Sequence, residues 1–245
     1  MPRPFALAAP ALLAAVLAVA GPAAAQTTEA LQIAVMRDDP AAIEAAIRAG
    51  SDPRAMIDQG SLLAAAALMG KPRAVRVLLA HGADPAAPGP NGGNAVNAAF
   101  FAINGTAILG RGDVPDPAQR AAGVEVVRLL AARKVGLDNP VRLGPSNVTP
   151  LIQAAEAGAF DLVQILLDGG ANPNATNAGG YTALDYAVDR APIWTTLPQD
   201  HRADIVRALL AKGARRDRAG ADRVTPLARA RRAGNPEIIA LLEGK

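Results

Sequence analysis

Cysteine is absent, aromatic residues make up only 3% of the chain, and histidine occurs twice in 245 residues. The first absence excludes disulfides, thiol chemistry and a lipid-modified cysteine near the N-terminus. Few aromatics beside abundant alanine suit closely stacked helices better than a large layered core. Neither sign of charge dominates: 25 Lys and Arg stand against 22 Asp and Glu, a formal net of +3. That balance is a weak argument for nucleic acid. Long apolar runs are also missing after the first residues, so no later segment is long enough to cross a bilayer.

The early run is Ala6 to Ala20, about fifteen apolar residues behind the short basic start Met1-Pro2-Arg3. It is shorter than the roughly 20 residues a membrane span needs. Ala23-Ala24-Ala25 before Gln26 offers a small-x-small cleavage pattern. Residues 1–25 therefore read as a cleaved signal peptide, with a transmembrane anchor as the alternative. Loss of Arg3 brings the formal charge to about +2. The expected location is periplasmic, or secreted, after cleavage near Ala25-Gln26. A chain exported without cysteine must be held by packing alone.

The stretch from Asn147 to Ala175 is the template for the remainder. Thr149-Pro150 reads as a helix start, a hydroxyl cap followed by proline where its missing N–H is harmless. Leu151, Ala154 and Ala155 give a short first helix one apolar face, and Gly158 stops it. Phe160 to Asp168 makes a second helix with Leu162, Val163, Leu166 and Leu167 on one stripe. Gly169-Gly170 supplies a left-handed cap, and Asn172-Pro173-Asn174 turns the chain outward. Two helices of about nine residues cannot stand alone, because nucleation is costly and the apolar stripe stays wet.

Copies of this unit follow one another. Their equivalent positions Leu31, Leu63, Val96, Leu151, Leu184 and Leu227 are spaced by 32, 33, 55, 33 and 43 residues. The two long intervals carry about 22 and about 10 extra residues. These inserts, roughly Asn104 to Arg120 and Ala191 to Asp200, fall between the two helices of copies three and five. Asp116-Pro117 and Leu197-Pro198 predict that each insert ends by lengthening its second helix. Because both occupy the same point of the unit, both are expected on one edge of the stack. Approximate repeat bounds are 28–58, 59–91, 92–144, 145–177, 178–220 and 221–245, within a domain spanning 26–245.

The unit, with T-P-L at its opening, two antiparallel helices, L-L-x-x-G-A-[DN] and an outward turn, resembles the ankyrin repeat. That resemblance implies an all-α solenoid of about six helix–turn–helix repeats, with turns and first helices lining a concave side. There are departures. The histidine that usually follows T-P-L is Gln32, Ala64, Asn97, Ile152, Asp185 and Ala228 here, so the hydrogen bonds tying repeats together must be thinner or rebuilt. Copy three ends in Arg133-Lys134-Val135-Gly136 in place of L-L-x-x-G-A, which leaves its cap and turn undetermined. Copy one is weak at its opening, as a capping repeat often is.

Reaction chemistry finds little support. His81 ends a second helix, where an imidazolium would complement the helix dipole. His201, beside Asp200, reads as an exposed helix start. Gly89-Pro90-Asn91-Gly92-Gly93 leads out of a helix with no strand before it, which suits a turn and not a phosphate cradle. No catalytic residue, cofactor or metal is expected.

Surfaces say more. In the ankyrin-like register the groove receives Met36 and Arg37, Leu68 and Met69, Phe101 and Ala102, Glu156 and Ala157, Asp189 and Arg190, then Arg232 and Ala233. Its N-terminal half is apolar and its C-terminal half charged. Either the apolar half binds a partner, or Leu68 and Phe101 turn inward between repeats. Tyr181 at a turn, Ile108 and Leu109 in the first insert, and Trp194 in the second are candidate partner contacts. Lys212, Arg215, Arg216, Arg218, Arg223, Arg229, Arg231 and Arg232 crowd the last two copies against Asp217 and Asp222, as a solvated face or an anion-binding one.

The expected function is a non-enzymatic interaction module of the bacterial periplasm. It would bind an envelope protein as adaptor, inhibitor or protective partner, as a monomer and without nucleic acid. The alternative is binding of anionic lipid or polymer through the Arg-rich copies. A remote third is an enzyme using Asp113, Asp116, Asp200 and His201 between the inserts.

Overall fold

The computed structural model describes residues 22–57, 60–89, 92–104, 116–143, 146–188 and 201–244. Expectations for Ile108, Leu109, Asp113, Asp189, Arg190, Trp194 and Asp200 lie outside the described residues, as do residues 1–21 of the expected signal peptide.

Helices come in pairs: α1 (Pro22–Met36) with α2 (Pro40–Arg48), α3 (Leu62–Leu68) with α4 (Pro72–Ala80), and α5 (Ala95–Asn104) with α6 (Pro117–Ala131). Then follow α7 (Pro150–Glu156) with α8 (Phe160–Gly169), α9 (Ala183–Val188) with α10 (Arg202–Ala211), and α11 (Pro226–Ala233) with α12 (Pro236–Glu243). First helices pack in the order α1, α3, α5, α7, α9, α11, and second helices in the order α2, α4, α6, α8, α10, α12. The result is a single-file stack in which each hairpin buries its stripe against its neighbours. At the outward turns, β1 (Met56–Ile57) pairs antiparallel with β2 (Gly60–Ser61), and β3 (Val141–Leu143) with β4 (Ser146–Val148). These are turn ribbons and form no layer of their own.

The local chemistry is that of the template. Thr149 accepts a hydrogen bond from the Ile152 N–H at 3.3 Å, and Thr225 one from Ala228 at 3.3 Å, each with proline in the first turn. Gly170 closes α8 in the left-handed conformation. Gly169 belongs to the helix itself, where a side chain would press on Ala131 of α6. The repeat positions Leu31, Leu63, Val96, Leu151 and Leu184 are all buried to within 1%. Burying one such side chain contributes roughly 1.5–3 kcal/mol. Leu227, in the last repeat, is half-buried against the same core because nothing described stacks beyond it.

Two expectations about the inserts separate. Asp116 caps α6 through the Ala118 N–H at 3.0 Å, and Pro117 opens a lengthened 15-residue helix. The corresponding start at Leu197-Pro198 lies outside the described residues; the described α10 begins at Arg202, behind a non-helical His201.

The rebuilt ties are visible, first within copy three and then between neighbouring copies. Asn97 stands where the family has histidine, and its Nδ2 donates to the Asn139 carbonyl at 3.1 Å. Asn94 is fully buried; its Oδ1 accepts from the Val96 and Asn97 N–H groups, and its Nδ2 donates to the Gly136 carbonyl at 2.7 Å. Copy three therefore ends in a turn of its own, with Lys134 and Gly136 both at positive φ and Leu137 buried. Elsewhere Asn174 Nδ2 donates to the Gly213 carbonyl at 2.9 Å, and its Oδ1 accepts from Arg215 at 2.9 Å. Helix α4 starts at Lys71, which offers no side-chain cap; Asp38 of the preceding repeat accepts from Ala74 at 2.7 Å instead. Along the second helices, Arg76–Glu125 (3.1 Å), Arg120–Asp161 (2.9 Å) and Arg207–Glu237 (3.0 Å) cross the junctions of repeats two with three, three with four and five with six. Such exposed pairs contribute only about 0–1 kcal/mol each, so packing holds the stack and charge trims its register.

Candidate functional site

The side of the stack that bears the first helices divides in two. In its N-terminal half, Met36 is 53% exposed. Arg37 beside it is exposed. Leu68, Met69 and Phe101 are half-buried and packed against the core, while Ala102 is buried. The apolar patch is thus shallow: Met36 stands clear of it, and the others show one flank each.

The C-terminal half is polar at a repeated position. Taking the fifth residue of each opening, T-P-L-x-x, from the second copy on, the register runs Ala65, Ala98, Gln153, Tyr186 and Arg229. The last three replace alanine with polar groups. Gln153 is buried, and its Nε2 has no hydrogen-bond partner among the described residues. Tyr186 accepts a hydrogen bond from Asn177 Nδ2 at 2.9 Å. Burial pushes its phenol pKa up, and the nearby negative charge of Glu156 adds to that rise. Glu156, half-buried at the end of α7, is itself raised by desolvation. Ala157 next to it is half-buried, whereas Arg232 and Ala233 on α11 are exposed.

Arg229 corrects an expectation. It is buried, only 6% exposed, and so does not belong to the solvated basic face. Its Nε lies 3.4 Å from Asp185 Oδ1, and its Nη2 donates to Asp222 Oδ2. Its guanidinium sits 5.0 Å from the centre of the Tyr181 ring, within cation–π range. Desolvation lowers the Arg229 pKa, but Asp222 and Asp185 outweigh it, and the guanidinium stays charged. Asp185 is equally enclosed. Its Oδ2 accepts from both the Thr182 N–H (2.8 Å) and the Thr182 hydroxyl (2.9 Å), capping α9 reciprocally. Its Oδ1 accepts no hydrogen bond. Tyr181, Asp185, Tyr186 and Arg229 line a pocket of about 230 Å³. Tyr181 lies across Gly220, so close that any side chain there would strike its ring. It is consequently a wall between repeats five and six.

Other basic residues of the cluster are also engaged. Lys212 pairs with Asp168 at 2.9 Å, Arg231 with Glu243 at 2.8 Å and Arg215 with Asp217 at 3.5 Å. Neither histidine assembles a reactive site among the described residues. His81 Nε2 meets Glu44 at 3.0 Å across two second helices. His201 stacks on Phe160 with centroids 5.9 Å apart and faces Asp204 at 3.5 Å. Asp116 is occupied in capping. The buried Arg229 network was missed in the sequence because an arginine among seven other basic residues reads as surface. Its signal was there all the same: Arg229 shares the register position of the buried Gln153.

Comparison with known proteins agrees with this architecture. Residues 136–187 match the family model of ankyrin repeats (many copies). The ankyrin repeat domain-containing protein OPG015 of Monkeypox virus is 53% identical over 52 residues, 21% of this chain and 12% of that protein. The match thus spans about an eighth of that relative's length. An ankyrin repeat domain from Acinetobacter baumannii AYE superposes with a TM-score of 0.66 at 27% identity, over 87% of this chain and 96% of the other. The ankyrin repeat protein EF0377 gives 0.65 at 22% identity, over 88% and 97%. A chain of the Bdellovibrio bacteriovorus complex of the predatory endopeptidase Bd0816 with immunity protein Bd3460 gives 0.57 at 21%, over 89% and 98%, a likeness of fold.

Residues 136–187 are ankyrin repeats, and the described chain as a whole is a helical ankyrin-type solenoid, with extra residues between the two helices of its third and fifth repeats. Repeats of this kind are protein–protein interaction modules. Among the described residues no helix is long and apolar enough to cross a membrane.

Proposed function

We propose that the protein is exported and binds one protein of the cell envelope, without catalysing a reaction, through the face formed by its first helices. The observation that carries this reading is the division of that face. An apolar patch led by exposed Met36 occupies repeats one to three, and a polar pocket built around Arg229 lies between repeats five and six, on a scaffold whose repeats are tied by hydrogen bonds. Side chains held in place before contact lower the ordering cost of association. The cleavage pattern at Ala25-Gln26 supports export. The fold is shared with a chain of an endopeptidase–immunity protein complex, which gives the reading a direction: the partner is an enzyme that this chain protects or restrains.

Affinity capture of the tagged chain from an envelope extract, with mass spectrometry of what stays bound, tests the proposal. A partner retained by the native chain and lost by Met36→Glu is expected. If the native chain and Met36→Glu retain the same proteins, the apolar patch is not the binding face. Retention that fails only in Trp194→Ala would move the contact to the second insert.

A further inference from the structure

The first-helix face of repeats one to four carries a row whose spacing and charge name what lies on it. Met36, Leu68, Phe101 and Glu156 hold one register position on α1, α3, α5 and α7, which pack side by side in that order. We propose that the apolar part of this row receives an amphipathic helix of the bound protein, laid across repeats one to three with an acidic flank toward Arg37, Lys71 and Arg73 at the edge. This rests on the reading that the first-helix face binds a protein.

Spacing and backbone chemistry select a helix. Packed helix axes lie about 8–10 Å apart, so Met36, Leu68 and Phe101 meet side chains repeating at that step. Residues i and i+7 of an α-helix stand about 10.5 Å apart on one face, whereas alternate residues of a strand repeat every ~6.6 Å. A strand also docks by extending a ladder of unpaired backbone groups, and the backbone of this row is closed within helices. The row is shallow, with Leu68 and Phe101 half-buried beside exposed Met36, which suits the ridge of a helix. Its two steps span about 16–20 Å, the length of ~11–13 helical residues. Charge then selects the flank. Asp38 accepts from the Ala74 N–H at 2.7 Å, which sets the turn after α1 against the start of α4, beside Lys71 and Arg73. Arg37, Lys71 and Arg73 enter no ion pair among the described residues. The carboxylates of the same turn are spent on helix amides, Asp38 on Ala74 and Asp39 on Ala41 and Ala42. At the far end of the row the half-buried Glu156 would repel a carboxylate, which keeps the acidic flank over repeats one and two.

The test is an NMR titration of the 15N-labelled full chain with three N-acetylated peptide amides of about 14 residues, each carrying one leucine stripe at helical spacing. Their flanks hold glutamate, lysine or glutamine, and a hydrocarbon staple on the opposite face brings all three to equal helicity by CD. Saturable shifts of the Met36, Leu68, Met69 and Phe101 amides are expected with the glutamate peptide. The glutamine peptide should bind about threefold and the lysine peptide about tenfold more weakly. Arg37→Glu combined with Lys71→Glu should reverse that order while the far-UV CD spectrum stays native, and Arg232→Ala should leave it unchanged. A lysine peptide that binds as tightly as the glutamate one, no saturable shift with the glutamate peptide, or shifts confined to repeats five and six overturns the inference. Those outcomes leave the capture experiment untouched. A capture that recovers nothing, beside clear shifts with the glutamate peptide, would fell the envelope-partner reading and leave the helix assignment standing.

Discussion

Gly136→Ala offers a measure of how firmly the two ends of repeat three are held together. Gly136 sits at φ +71°, and an added Cβ would lie 2.4 Å from Asn94 Nδ2, the same atom that donates to the Gly136 carbonyl. Two costs follow. The left-handed backbone costs an alanine about 1–2 kcal/mol. Displacing the fully buried Asn94 amide strands a donor, a further cost of about 1–3 kcal/mol. Gly170→Ala separates these contributions, since Gly170 also has positive φ, at +97°, but nothing lies within 4 Å of its would-be Cβ. Urea unfolding followed by far-UV CD should place Gly136→Ala at least about 1 kcal/mol below Gly170→Ala, with similar slopes. In an Asn94→Ala background the excess should vanish, leaving only the backbone cost. Equal losses for the two glycines, or an excess that persists without Asn94, would refute the argument that this contact ties the end of repeat three to its opening.

Arg229→Ala should cost about 3–5 kcal/mol, because it abandons Asp185 as a buried charge. Arg232→Ala, exposed on the same helix, should stay within about 0.5 kcal/mol, and thermal unfolding of the pair checks the contrast. Burial raises the Glu156 pKa above its ordinary value of 4.5, so the native chain is penalised as pH climbs and the carboxylate ionises. Glu156→Gln should therefore match the native urea midpoint well below pH 4.5 and exceed it at neutral pH; a constant offset across that window would contradict the sign. Met36→Glu should leave the melting temperature nearly unchanged, because a side chain 53% exposed adds little to the core, while removing the captured partner.

How much of this was legible beforehand depended on whether the cause was local. The helix starts at Thr149 and Thr225 and the burial of Leu31 through Leu184 follow from capping and periodicity, which act within a few residues. Copy three's ending depended on Asn94, 42 positions away from Gly136, and no short-range pattern joins them. The same holds for Arg229. Charge alone placed it on the surface, and only the stacking of α11 on α9 brought Asp185 to meet it. Met36 was legible as exposed because its helix ends there; the half-burial of Leu68, Met69 and Phe101 was set by how closely neighbouring helices approach.

The hydrogen bond from Ala74 to Asp38 has a consequence for anyone who would cut or transplant this chain. The second repeat does not carry its own helix-starting group; its predecessor lends one. Deleting the first hairpin, or exchanging it for a consensus module without an acidic residue at that corner, would leave α4 beginning on bare amides, so the units are not interchangeable bricks.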